Sequence, residues 1–372
     1  MDVKQIYDEI NSINTQAFGS QRLTVVDNTG IIALGNSVLT STTNTEAFLN
    51  TLVQRIGKSI MSYRKYTNMF KSLLIDSFQY GAILQKIKVD MPKAESDESF
   101  GLVDGGSVDM WKINKPKAHQ KLFVSETPWQ LHITIQREQL KEAFMSADTM
   151  GSFISIVFGE VENAIETGFE NLGRNCVNNF FAELDGTTRA INLLALYNTE
   201  TNAGLTVTKA LNNKDFLNWC IGEINDISDK FTAMSSYYND GTVTRHTPYD
   251  RQRLYFNSKF IRKCETVTQY RAFHDKFVSF DSDYKVVPYW QSLQTPFDIK
   301  IKRASDGTEK TITNIIGAIF DYDALGVYKH DEWSSTTPVN SAGGYTNTYW
   351  HFKDMYFNDL SENAVMFYLA EA

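Results

Sequence analysis

Apolar residues recur at steps of three and four from Ser152 to Leu184: Phe153, Ile156, Val157, Val161, Ala164, Ile165, Gly168, Phe169, Leu172, Cys176, Val177, Phe180, Phe181 and Leu184. That spacing predicts one long amphipathic helix of roughly 50 Å, with Ile156, Val161, Ile165, Phe169, Leu172, Cys176 and Phe180 as its core-facing spine. Glu160, Glu162, Glu166, Glu170, Asn171 and Arg174 fall on the opposite, polar side. Asp148 or Thr149 is expected to cap its start, and Asp185-Gly186 to stop it. Shorter helices are predicted where Val3, Ile6, Ile10 and Ile13 align, through Phe48, Leu49, Leu52, Val53 and Ile56 with Thr45 or Asn44 as cap and Gly57 near the end, over 136–147, and from Phe216 through Phe231.

Alternation marks strands. Ile83, Gln85, Ile87 and Val89 are expected to face one way, with Leu84, Lys86 and Lys88 the other. Leu131, Ile133 and Ile135 alternate with His132, Thr134 and Gln136 in the same manner. These stretches are expected to be the two legs of one long antiparallel excursion. Its tip segregates charge: Asp90, Glu95, Asp97, Glu98, Asp104 and Asp109 come first, then Lys112, Lys115, Lys117 and Lys121. An excursion of about fifty residues exceeds an ordinary hairpin connection. It buries little by itself, so it is expected to lie on a neighbouring subunit, with both charge runs as contact candidates. Further strands are expected at 253–256, 285–287, 315–320, 349–352 and 364–369. The polar stretches 18–45, 198–213 and 329–348 read as an extended arm and loops.

With 372 residues, 42% hydrophobic and 13% aromatic, the chain can bury a real core. A formal charge of -8 argues against a dedicated nucleic-acid binder. Cys176, Cys220 and Cys264 have no metal-ligand spacing and read as buried thiols in a reducing compartment. No signal peptide is visible and no run is long and apolar enough to span a membrane.

Phosphate loops, zinc-protease helices and nucleophile elbows are missing from the sequence. Asp321 and Asp323 with His330 form the closest group of plausible divalent-cation ligands, and a metal-dependent hydrolase using them is the least favoured alternative. The aromatic strings Tyr289-Trp290 and Tyr345 to Phe352 lack interleaved bases and read as packing surfaces. No cofactor is expected.

The run Phe48-Leu49-Asn50-Thr51-Leu52-Val53-Gln54-Arg55-Ile56-Gly57 resembles the start of the major capsid proteins of small short-tailed bacteriophages that infect Gram-positive bacteria. Leu325-Gly326-Val327-Tyr328, Tyr345-Thr346-Asn347 and Tyr349-Trp350-His351 resemble their C-terminal region, and Ser361-Glu362-Asn363-Ala364-Val365 their closing strand. The resemblance implies an α+β, Hong Kong 97-like major capsid fold. Its parts would be an N-terminal arm with helices (1–82), an extended two-stranded loop (83–135), a peripheral domain on the spine helix (136–186 with 321–372) and an inserted axial α/β domain (187–320). No C-terminal immunoglobulin-like decoration is expected. The implied function is structural: self-assembly into pentamers and hexamers of an icosahedral head around double-stranded DNA, inside the host bacterial cytoplasm. The implied partners are the chain itself, a scaffolding protein and a portal protein, with packaged DNA held only by non-specific proximity against an acidic lumen. An encapsulin-like nanocompartment shell is the alternative within the same fold.

Overall fold

The computed structural model describes residues 3–19, 24–56, 66–75, 84–92, 94–111, 113–124, 126–271 and 284–371. In chain order, helices α1 (Val3–Phe18), α2 (Asn28–Leu39) and α3 (Thr42–Ile56) lead to strands β1 (Leu74–Ile75), β2 (Leu84–Val89), β3 (Ala118–Phe123) and β4 (Thr127–Gln136). Next come α4 (Arg137–Ala143), α5 (Ala147–Leu184), β5 (Ala190–Asn192), α6 (Leu193–Thr201), α7 (Val207–Ala210) and α8 (Lys214–Phe231). The remainder comprises β6 (Gln252–Asn257), α9 (Ser258–Arg271), β7 (Tyr284–Val287), β8 (Ile299–Lys302), β9 (Glu309–Ile312), β10 (Ile315–Asp321), β11 (Leu325–Thr336), β12 (Tyr345–Asn358) and β13 (Ala364–Tyr368).

Two compact units divide the chain. The first takes Met1–Gly81, Glu126–Gly173 and Val327–Met355; the second takes Ala82–Ser125, Arg174–Gly326 and Tyr356–Ala372. The helix α5 supplies residues to both.

In the first unit, β1, β11, β12 and β4 form a four-stranded sheet in that order. The core joins Ile6, Ile10 and Ile13 of α1 to Phe48, Leu49 and Leu52 of α3 and to Ile135, Leu140, Phe144 and Met150. The helix α2 replaces the extended arm expected over 18–45. Asp27 caps it, its carboxylate accepting from Gly30 N–H at 2.7 Å. Ile31, Leu34 and Val38 are buried at helical spacing. Gly35 is there for contact: a Cβ would sit 2.5 Å from Phe144 Cβ. Thr45 is no cap but lies inside α3, donating to Ser41 and Val38 carbonyls. Gly57 lies outside the described residues.

The start of α5 is capped at Ser146, two residues before Asp148, with Thr149 as the reciprocal partner. Ser146 Oγ accepts from Thr149 N–H at 3.2 Å, and Thr149 Oγ1 accepts from Ser146 N–H at 2.9 Å. The helix stops where expected, with Gly186 at φ 78. Phe169, Leu172, Cys176 and Phe180 are buried, whereas Val161 and Ile165 are half-buried. The Ile156 side chain is outside the described set. Glu170 and Arg174 depart from the expected polar face, since both are buried. Glu170 accepts from the Tyr66 hydroxyl and from Met69 N–H at 3.3 Å. Arg174 donates to the Tyr289 carbonyl and lies over its ring. In the first unit, Trp129 stacks on Phe352 at 4.2 Å and meets Phe169 edge-on at 5.5 Å.

In the second unit, a five-stranded mixed sheet runs β5-β13-β10-β6-β7. One face carries Leu254, Phe256, Ile316, Ile319, Val365 and Phe367, packed on α6, α8 and α9. Ile316 and Ile319 share that face despite opposite parity because the register shifts between Ile315 and Gly317. Tyr255 stacks on Phe320, and Phe320 meets Phe180 of α5. Gly317 has no room for a side chain: a Cβ would lie 2.3 Å from Phe256 Cδ1 and 2.4 Å from the Tyr255 carbonyl. Gly317→Ala is therefore expected to lose about 3 kcal/mol in urea denaturation, since a neighbouring strand's backbone cannot give way as a side chain can. Two polar stretches expected as loops are structured: 198–213 holds the end of α6 and all of α7, and 329–348 holds most of β11 and the start of β12.

A charged arm as candidate interaction surface

The excursion is built differently from its expected pairing. The first leg, β2, pairs with β3, from Leu84–Phe123 to Val89–Ala118. The expected second leg, β4, instead pairs with β12 along its whole length. Both stretches have the period of a strand, but period does not name a partner. The two-stranded arm is thus β2, the segment 90–117 and β3, all within the second unit.

The faces of β2 are also exchanged. Ile87 and Val89 are 62% and 52% exposed, while Lys88 is 5% exposed. The lysines turn inward because acids await them on the connection between β12 and β13. Lys86 Nζ lies 2.8 Å from both Asp359 Oδ2 and Glu362 Oε1. Lys88 Nζ lies 3.1 Å from Asp359 Oδ2 and 2.8 Å from Glu362 Oε1, and donates to Ser361 Oγ. Lys121 on β3 lies 3.1 Å from both Asp359 Oδ1 and Asp240 Oδ2. Lys86 and Lys121 sit directly opposite each other in the ladder. Two like charges there would repel; Asp359, fully buried, bridges them.

Burial by itself would raise the Asp359 carboxyl, but the Lys86 charge, hydrogen bonds from Lys86 and Ser361, and the Lys88 charge hold it well below the usual carboxylate range. Burial is likewise outweighed at Glu362 by hydrogen bonds from Lys86 and Lys88, so its carboxyl is lowered. Burial would lower the Lys86 ammonium, yet Asp359 and Glu362 raise it. The arm root is thus a clasp of mutually compensating charges, which costs much to break.

Beyond the clasp the arm is solvent-exposed. Asp90 pairs with His119 at 3.0 Å. Asp97 and Asp109 fold locally, accepting from Ser99 and Trp111 N–H at 2.9 Å. Hydrogen bonds from Ser99 lower the Asp97 carboxyl. Glu95, Asp104, Lys115 and Lys117 are exposed, the Glu98 side chain is not described, and Lys112 lies outside the described residues. The basic run is therefore divided: Lys121 belongs to the clasp, while Lys115 and Lys117 belong to the tip. The tip also carries large apolar side chains between its charges, and because they follow no helix or strand period the sequence pattern does not single them out. Phe100 is 92% exposed, Met110 78%, and Trp111 and Ile113 79%. A monomer seldom exposes so many large apolar groups on one short segment.

The two nominated metal-binding acids have other partners. Asp321 accepts from Thr247 Oγ1 at 2.7 Å and from Asp323 N–H at 2.9 Å. Arg251 Nη2 lies 2.5 Å from Asp323 and 3.6 Å from Asp321. These two acids are already balanced by an arginine. His330 falls in the other unit, and its side chain is not described. All three cysteines are buried, and burial pushes the Cys264 thiol up to about 12.

A family model described as the Phi29-like phage major capsid protein matches residues 8–368. The chain belongs to that family. The major capsid protein of Bacillus phage GA-1 is 20% identical over 246 residues, 63% of this chain and 51% of that protein. That of Bacillus phage B103 is 24% identical over 187 residues, 49% of this chain and 40% of that protein. The chain thus spans about half the length, or less, of these curated relatives. Among solved structures, the capsid structure of Staphylococcus phage Andhra superposes with a TM-score of 0.55 at 11% identity, covering 84% of this chain and 87% of that one. That of cyanophage P-SCSP1u gives 0.51 at 13%, covering 85% and 92%. At such identities the likeness concerns the fold: this Phi29-like family chain has an α+β phage capsid fold.

Proposed function

We propose that the chain is a structural major head subunit, not an enzyme, that assembles with copies of itself into pentamers and hexamers of an icosahedral shell around double-stranded DNA. Assembly takes place in the host bacterial cytoplasm, with a scaffolding protein and a portal protein as partners. In Hong Kong 97-like terms, β2, β3 and the segment between them correspond to the extended loop, α5 to the spine, and the five-stranded sheet with its helices to the axial part. Family membership favours this reading over a nanocompartment shell or a metal hydrolase.

The observation that carries it is an arm clasped at its root by buried charges while its tip holds Phe100, Met110, Trp111 and Ile113 out to solvent. A rigidly rooted arm with an apolar end is suited to lie on a second copy, where burying those groups returns about 25 cal/mol per Å². Apolar contact is thus expected to supply the energy, and the tip charges the register. Changing Phe100, Met110, Trp111 and Ile113 together to Ser should leave circular dichroism and the melting midpoint unchanged and cut shell yield at least tenfold, counted by electron microscopy. Lys115→Glu with Lys117→Glu should weaken assembly only modestly, and mostly at low salt. Lys121→Glu is different in kind, because it would set an anion against Asp240 and Asp359. Wild-type protein that stays monomeric with scaffold supplied would sink the proposal.

A further inference from the structure

The open edge of the four-stranded sheet invites a partner. β4 is its last strand, and among the described residues no strand lies beyond it. The strand is ten residues long and contains no Asp, Glu, Lys or Arg. Free edges are normally shortened, charged or covered to prevent pairing.

The ladder shows which backbone groups point outward. Gln136 N–H turns away from β12 and donates to Gln139 Oε1 at 3.1 Å. The next N–H, that of Arg137, points the other way and donates to the Gly344 carbonyl at 2.9 Å. Along an antiparallel strand these directions alternate, so Gln130, His132 and Thr134 present both N–H and C=O outward. Pro128 has the same parity and has no N–H to present, as expected for a proline on an open edge. The outward window is therefore closed at one end by Pro128, which has no donor, and at the other by Gln136, whose donor is used. The two stops lie symmetrically about His132.

We propose that β4 pairs antiparallel with β4 of a second copy about a two-fold axis through His132. In this register Gln130 faces Thr134 of the second copy and His132 faces its own equivalent, which makes about six hydrogen bonds. Pro128 falls opposite Gln136, where neither residue has a free N–H to offer the other. Parity is preserved, so side chains stay on their own faces. Leu131 meets Ile133 and Trp129 meets Ile135; Trp129, Leu131 and Ile133 are half-buried within a single copy. Stops matched at both ends, with no charge between them, fit the strand's own sequence. This contact is independent of the arm and does not require the head-shell reading.

Directly opposed residues of a hydrogen-bonded antiparallel pair have Cα atoms about 5.5 Å apart, within disulfide reach. His132, Gln130 and Thr134 are exposed, and the native cysteines are buried. Under mild oxidation, full-length His132→Cys should form a covalent dimer. Gln130→Cys and Thr134→Cys should each stay monomeric alone and cross-link when mixed. The series is read on concentrated unassembled protein and on assembled particles. The absence of a His132→Cys dimer in both, or equal cross-linking by Thr134→Cys alone, would overturn the pairing. Shells without the cross-link sink this contact alone; cross-linked dimers that never form shells sink the shell reading alone.

Discussion

Replacing Lys88 with Met should destabilise the subunit by about 3–5 kcal/mol, because it leaves Asp359 and Glu362 buried with a positive charge missing. Urea denaturation followed by circular dichroism measures this. The double variant Lys88→Met with Glu362→Met removes both signs of charge and should recover part of the loss, a coupling well above experimental error. Limited proteolysis adds a local readout: cleavage within 90–117 should be similar in both proteins, while cleavage near β2 should rise in the single variant. Equal stability of wild type and Lys88→Met would show that the clasp contributes nothing. The pH dependence has a definite sign. Asp359 and Glu362 titrate below their ordinary values of 3.8 and 4.5, so the stability they contribute is complete above those values and fades as pH falls toward the lower folded-state values. Acid unfolding of wild type should therefore be steeper than that of the double variant.

Leu172→Asp should be more damaging still. Leu172 is 6% exposed on α5, and an aspartate there would carry a charge into the core. A loss above about 4 kcal/mol is expected, seen as a collapse of soluble yield and of the cooperative melt. Leu172→Met keeps the volume and should cost less than about 1.5 kcal/mol. An aspartate variant that melts like wild type would mean this part of α5 is not core. Substitutions at the tip are expected to do the opposite and leave the folded subunit intact.

The long helix was legible in the sequence because its apolar spacing persists over more than thirty residues, and no loop sustains such a period. The α2 helix was not, because Gly30, Gly35 and its Asn, Ser and Thr residues imitate a loop; Gly35 is explained only by Phe144, about a hundred residues away. On β2 the rule of apolar residues inward failed. Lys86 and Lys88 find their acids some 270 residues later, and a local pattern holds no trace of such a partner. The sequence pattern groups Lys121 with the other lysines of the arm, but Lys121 belongs to the root. The contact potential of Phe100, Met110, Trp111 and Ile113 was hidden because scattered apolar residues between charges have no period. The family resemblance rests on short strings, the run from Phe48 to Gly57 and others in β11, β12 and at the start of β13, which is buried almost throughout.

Strand β13 lies between β5 and β10, and the clasp acids lie just before it in sequence. A growing chain must therefore hold β5, β6 and β10 ready until residue 368 has been made, because the strand that joins β5 to β10 follows all of them in sequence. Such long-range closure is slow and leaves edges open in the meantime. The same late segment supplies Asp359 and Glu362, so the arm cannot be locked before the sheet is nearly complete. Synthesis itself thus imposes an order: the arm of a nascent chain stays unfastened until Asp359 and Glu362 have been made.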